Sequence, residues 1–140
     1  MSTKLGWILL ALLVLSSACH SPARSLPALP FGRWVVTELE GVAVGELERR
    51  PELRLGEDGT LDGFGGVNRF SGPLDLDELR AGRLVAGPLA ATRMAGPQPA
   101  MEAEARLFAL LGAPLEWQRV TGEVRLLRQG QVVARLNAAS

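Results

Sequence analysis

Beyond an apolar opening, hydrophobic and polar residues in this chain trade places in short runs, and one stretch alone has helical spacing. Arg33 to Leu39 (RWVVTEL) is rich in β-branched residues and is closed by Gly41. Between Glu52 and Leu55, Leu53 and Leu55 fall on one face and Glu52 and Arg54 on the other, the period of a half-buried strand. Gly56-Glu57-Asp58-Gly59 is a turn signal, which predicts a hairpin onto Thr60 to Gly65. Phe70, Gly72, Leu74 and Leu76 then share a face, while Ser71, Asp75 and Asp77 point away as a strand edge. Arg83 to Ala86 is another short strand. Leu115 to Val120, Glu123 to Gln129 and Gln131 to Leu136 form a run of three, joined by Thr121-Gly122 and Gly130. The helix is predicted over Pro99 to Leu111, where Met101, Ala105, Phe108 and Leu111 recur at steps of three and four. Glu102, Glu104 and Arg106 lie between them, and Gly112 with Pro114 ends the element. Seven or eight short strands and a single helix predict one mainly-β domain, an antiparallel barrel or sandwich.

The opening segment reads differently. Lys4 is followed by nine unbroken apolar residues, Trp7 to Leu15, then by Ser16, Ser17, Ala18 and Cys19. A basic start, a short apolar stretch and small residues before a cut mark a secretory signal peptide, here over residues 1–18. As a helix, nine residues rise about 14 Å against roughly 30 Å of hydrocarbon, too little to span a membrane. Leu15-Ser16-Ser17-Ala18-Cys19 resembles a bacterial lipobox, in which the Cys is acylated and becomes the first residue of the mature chain. The usual Leu three places before the Cys is Ser16, and Ser16-x-Ala18 also suits ordinary signal peptidase. An unpaired Cys in an exported chain is explained by lipidation; an odd thiol is the alternative. His20 to Pro30 carries three prolines without periodicity, so residues 19–31 read as a lipidated Cys and tether, and residues 32–137 as the domain. His20, rather than Asp, follows Cys19, the usual sorting pattern for an outer membrane, facing the periplasm.

Charge and composition narrow the chemistry. Fifteen basic residues balance fifteen acidic ones, so nucleic acid is not an expected partner. The single Cys, His and Lys are Cys19, His20 and Lys4, and Tyr is absent. A domain without these side chains has few groups for nucleophilic or general acid–base catalysis. It is therefore expected not to be an enzyme, and no cofactor or metal is implied.

Gly63 to Pro97 carries a resemblance. Trp34 precedes Gly66-Val67-Asn68 and Phe70-Ser71-Gly72; Leu89-Ala90-Ala91-Thr92-Arg93-Met94-Ala95-Gly96 follows, then Glu104 and Phe108. In this order the segments resemble the META domain of the HslJ heat-shock family of bacterial lipoproteins, over about residues 32–137. The resemblance implies a small antiparallel lipocalin-like β-barrel or strongly curved sheet with one α-helix packed on it. It implies a loose role in stress or antibiotic tolerance and no agreed catalytic activity. Where the family often has two cysteines, this chain has Val67 and Gly96. If relatives bridge them, the two positions lie close together here, with Cα atoms no more than ~7 Å apart.

The six glycines between Gly56 and Gly72 lack phosphate-loop spacing and a following helix, so turns and close backbone approach account for them. Asn68, two before Phe70, falls on the apolar face, and a buried amide there ties backbone together. Thr92, Arg93 and Met94 form a Gly/Pro-flanked loop: Thr92 caps backbone, Met94 closes the barrel end, and Arg93 is free to meet an acidic partner. Asp58, Asp62, Asp75 and Asp77 read as turn and solvated strand positions, and Trp34 and Trp117 as core. The expected whole is a monomeric envelope lipoprotein, bound to a membrane through its lipid and to another envelope component. The alternatives are a carrier of a small apolar ligand, with Trp34, Phe64 or Trp117 lining a pocket, and an inhibitor of a periplasmic hydrolase exposing Arg93-Met94-Ala95.

Overall fold

The computed structural model describes residues 27–140; the expected signal peptide, Cys19 and His20 lie outside the described residues. Ten strands and two helices follow in chain order: β1 (Gly32–Leu39), β2 (Val42–Ala43), β3 (Glu52–Leu55), β4 (Thr60–Phe64), β5 (Arg69–Pro73), α1 (Leu76–Arg80), β6 (Arg83–Leu84), β7 (Ala90–Ala91), α2 (Gln98–Leu111), β8 (Leu115–Val120), β9 (Glu123–Arg128) and β10 (Gln131–Ala138). All pair antiparallel in one strongly curved sheet, ordered β6-β8-β9-β10-β1-β3-β4-β5-β7, with β2 folded back on β1. Its two ends meet at one rim. There Leu74 bridges Ala86, Asp75 N–H donates to the Val85 carbonyl (2.9 Å) and Gly87 N–H to the Pro73 carbonyl (2.9 Å).

The expected alternations hold where strands are regular. Leu53 and Leu55 are buried on β3, Leu61 on β4, Phe70 on β5, and Leu115 and Trp117 on β8. The β3–β4 hairpin turns at Gly56–Gly59, with Gly59 at a φ of +79° that favours glycine. Two bulges shift the pattern. On β1 the register slips between Val36 and Glu38, so the buried residues run Trp34, Val36, Leu39. On β10 it slips between Val132 and Ala134, and Val133 joins the core beside Ala134 and Leu136.

Three expectations are corrected. Asp75 and Asp77 do not share a strand: Asp75 caps α1, accepting from the N–H groups of Asp77 and Glu78 (both 3.0 Å), and α1 buries Leu79. The single expected helix thus has a short companion. On α2 the buried stripe is Ala100, Ala103, Glu104, Leu107, Leu110 and Leu111, rotated about one residue from the expected one, which leaves Met101 exposed. The domain also begins earlier than residue 32. Pro30 is buried and Leu29 and Phe31 pack on the core, while the Trp34 indole donates to the Pro30 carbonyl (2.8 Å). Arg119 donates to the carbonyls of Ala28 (3.4 Å) and Leu29 (3.2 Å), pinning the same segment.

One core fills the inside of the curve. It joins α1, α2 and side chains from both halves of the sheet, with Phe70 and Phe108 meeting edge to face at 5.3 Å. Trp117 is buried in it, its indole donating to the Leu79 carbonyl (2.8 Å).

Candidate functional site

The polar focus of the fold is Asn68, in the turn between β4 and β5. Its side chain is buried among four partners. Its amide nitrogen donates to the Glu104 carboxylate (2.7 Å) and the Met94 carbonyl (3.1 Å). Its amide oxygen accepts from Met94 N–H (2.6 Å) and the Thr92 hydroxyl (3.0 Å). Every donor and acceptor of the amide is used, which fixes its orientation. Thr92 also accepts from Arg69 N–H (3.1 Å), so its hydroxyl bonds backbone as expected.

Glu104 completes the arrangement from α2. One carboxylate oxygen accepts from Val67 N–H (2.9 Å) and Asn68 N–H (2.6 Å), and the other takes the Asn68 amide. Three donors thus converge on this carboxylate and satisfy its hydrogen bonding in a buried place. Gly65 and Gly66 make the approach possible. A Cβ on Gly65 would meet Glu104 Cγ at 2.8 Å, and one on Gly66 would meet the Ala100 carbonyl oxygen at 2.5 Å. Sequence reasoning placed Glu104 on the polar side of the helix. Its partners lie 36 and 37 residues away in the chain, so local periodicity carries no sign of them.

The node holds the 92–94 segment by its backbone and leaves side chains outside. Met94 is 60% exposed and so does not close a barrel end; its carbonyl and N–H, not its thioether, are the anchored groups. Arg93 is exposed and makes no hydrogen bond or ion pair among the described residues. Exposed Met101 lies across the shallow depression that Leu89, Met94 and Phe108 also line. Val67 and Gly96 are neighbours: a Cβ built on Gly96 lies 3.4 Å from Val67 Cβ. Asp58 accepts from Thr60 N–H, and Asp62 pairs with Arg54 across the sheet. Phe64 is buried beneath the Arg49 guanidinium rather than lining an interior pocket. Among the described residues no group of three or more His, Cys, Asp or Glu could hold a metal ion. No described helix is long and apolar enough to cross a membrane.

A family model for the META domain matches residues 27–140. The chain belongs to the META domain family. The matched span takes in residues 27–31, the segment that Trp34 and Arg119 hold against the core. Two solved structures have a similar fold. One, an NMR structure, is 25% identical with a TM-score of 0.61, covering 78% of this chain and 90% of that one. Another, an NMR structure of a protein from Burkholderia xenovorans, is 22% identical with a TM-score of 0.62, covering 80% of this chain and 84% of that one. A search of curated proteins returns no match.

Proposed function

We propose that this META-domain protein is exported, is held at the cell envelope through an acylated Cys19, and works by binding another envelope component without catalysing a reaction. The observation that carries the reading is the filled interior. Twelve aliphatic side chains, from Val36 through Leu136, are under 2% exposed. A filled interior counts against a carrier role and favours a partner met on the outside. The Arg93–Ala95 segment supports an outward role, because the Asn68 node fixes its backbone while Arg93 and Met94 face solvent. Rigid presentation lowers the ordering cost of association. A lipid at Cys19 would concentrate that face near its partners. Such a protein supports tolerance of envelope stress by holding components together rather than by turning over a substrate.

The test has two parts in living cells. A clickable fatty acid should label the wild type and not Cys19→Ser, and only the wild type should sediment with membranes. A photo-crosslinker at Met94 should then join the anchored chain to an envelope protein, and Arg93→Glu should reduce the adduct. An unlabelled, soluble wild type would overturn the anchoring. Retention of a small apolar metabolite, with no protein adduct, would overturn the binding role.

A further inference from the structure

Outside the Asn68 node, the outer face of the sheet carries a second built feature. A groove of about 380 Å³ crosses β1, β3, β4 and β5 and is lined by Arg33, Arg49, Arg54 and Arg69 against Glu52 and Asp62. We infer that this groove is a binding site for a phosphate monoester, held by the guanidinium groups of Arg33, Arg49 and Arg69.

Strand register puts the cations there. Arg33 on β1 lies directly opposite Arg54 on β3, and like charges in that relation destabilise a sheet. Asp62, opposite Arg54 on the other side, takes up one of the pair. Arg33 keeps an unmatched charge. Arg69 on β5 lies opposite Phe64 on β4, and Arg49 stacks on the same ring with its guanidinium carbon 3.9 Å from the centroid. Stacking holds a guanidinium plane while its N–H edge remains free to donate. Arg33, Arg49 and Arg69 have no carboxylate within ion-pair distance among the described residues, unlike Arg54, Arg80, Arg83, Arg125 and Arg135.

Four cations against two carboxylates leave the groove two units positive. A phosphate monoester carries about −1.5 to −2 at neutral pH and offers three strong acceptor oxygens. Charge and donor number therefore match it better than a singly charged carboxylate. Arg forks bond such oxygens in pairs, and their convergence in one groove is worth more than scattered cations on an open surface. The site is separate from the Asn68 node and does not depend on the anchoring proposed above. The ester could be carried by a soluble metabolite or by a lipid headgroup, and the two sources are separable.

The experiment uses the full chain in a neutral detergent. It is titrated with glycerol 2-phosphate while backbone amide shifts are followed, and then with the same micelles carrying phosphatidylcholine or phosphatidic acid. Shifts should cluster at residues 33, 49, 52–54, 62–64 and 69. Arg33→Gln/Arg69→Gln should weaken binding at least about tenfold, whereas Arg93→Gln should not. The double variant removes two unmatched charges, so its melting temperature should hold, and only the wild type should melt higher as phosphate ester is added. Binding of glycerol 2-phosphate alone supports a soluble ester, and shifts at these residues only with phosphatidic acid in the micelle support a lipid headgroup. Absence of both, or loss that is equal in Arg93→Gln, overturns the site.

Discussion

Replacing Asn68 with alanine tests how much of the domain's stability the node supplies. The substitution removes four hydrogen bonds, to Glu104, Thr92 and both backbone groups of Met94. Exposed partners regain water, so a typical net loss of about 1 kcal/mol per bond overstates the Thr92 and Met94 contributions. Glu104 does not regain it as easily, because it is 9% exposed and its carboxylate would lose a donor. A buried group left unpaired costs about 1–3 kcal/mol, and more when charged. The sum is about 3–4 kcal/mol, which for a domain of this size lowers the melting temperature by about 12–16 °C. Calorimetry of wild type and Asn68→Ala at neutral pH measures it. Thr92→Val, which removes one hydroxyl, should cost about 1 kcal/mol. Asn68→Asp gives an independent sign. It places an acceptor where the amide donated to Glu104 and the Met94 carbonyl, so it should cost at least as much as Asn68→Ala. A melting temperature within about 3 °C of wild type for both Asn68→Ala and Asn68→Asp would refute the structural role of the node.

Val67→Cys/Gly96→Cys should close a disulfide under mild oxidation and add about 3–4 kcal/mol by the loop-entropy rule, seen as a gel shift without reductant and a higher melting temperature; thiols that stay open to alkylation would contradict the close approach of the two positions. Gly66→Ala should lose about 2–4 kcal/mol, since its φ is +138° and the new Cβ would press on the Ala100 carbonyl. An unchanged denaturation midpoint would mean that the turn relaxes freely. Glu123 is held below its ordinary value of 4.5 by its hydrogen bond from Arg125, with Arg135 assisting. A depressed folded value contributes stability above about pH 4.5 that is lost as pH falls through it. Glu123→Gln should therefore lie below wild type near neutral pH and converge with it in acid; a constant gap at all pH values would rule out the ion pair as the cause.

Regular stretches of the fold are legible in the sequence because burial there has a fixed period. Leu53 and Leu55, the Gly56–Gly59 turn and the run from Leu115 to Leu136 fall where alternation and turn residues put them. The misreadings share a cause. Leu74-Asp75-Leu76-Asp77 alternates like a strand, yet Asp75 followed three places later by Glu78 is also a helix-start pattern, and the cap prevails. On α2 the polar residue Glu104 was counted as solvent-facing, although it stands in the buried stripe. Asn68 was legible as a buried amide from its place two before Phe70. Its carboxylate partner was not, because the pairing is made by the tertiary fold. The arginine groove was equally hidden, since Arg33, Arg49 and Arg69 become neighbours only through strand register.

The sheet's central seam joins its first long strand to its last. Trp34 on β1 pairs with Ala138 on β10, so apart from the rim contacts around Leu74 and Ala86 the two halves of the sheet pair only through the final strand. Contacts across so long a stretch of chain form slowly. A growing chain can make its local hairpins early, but its core stays open while Gln131 to Ala138 is still being made.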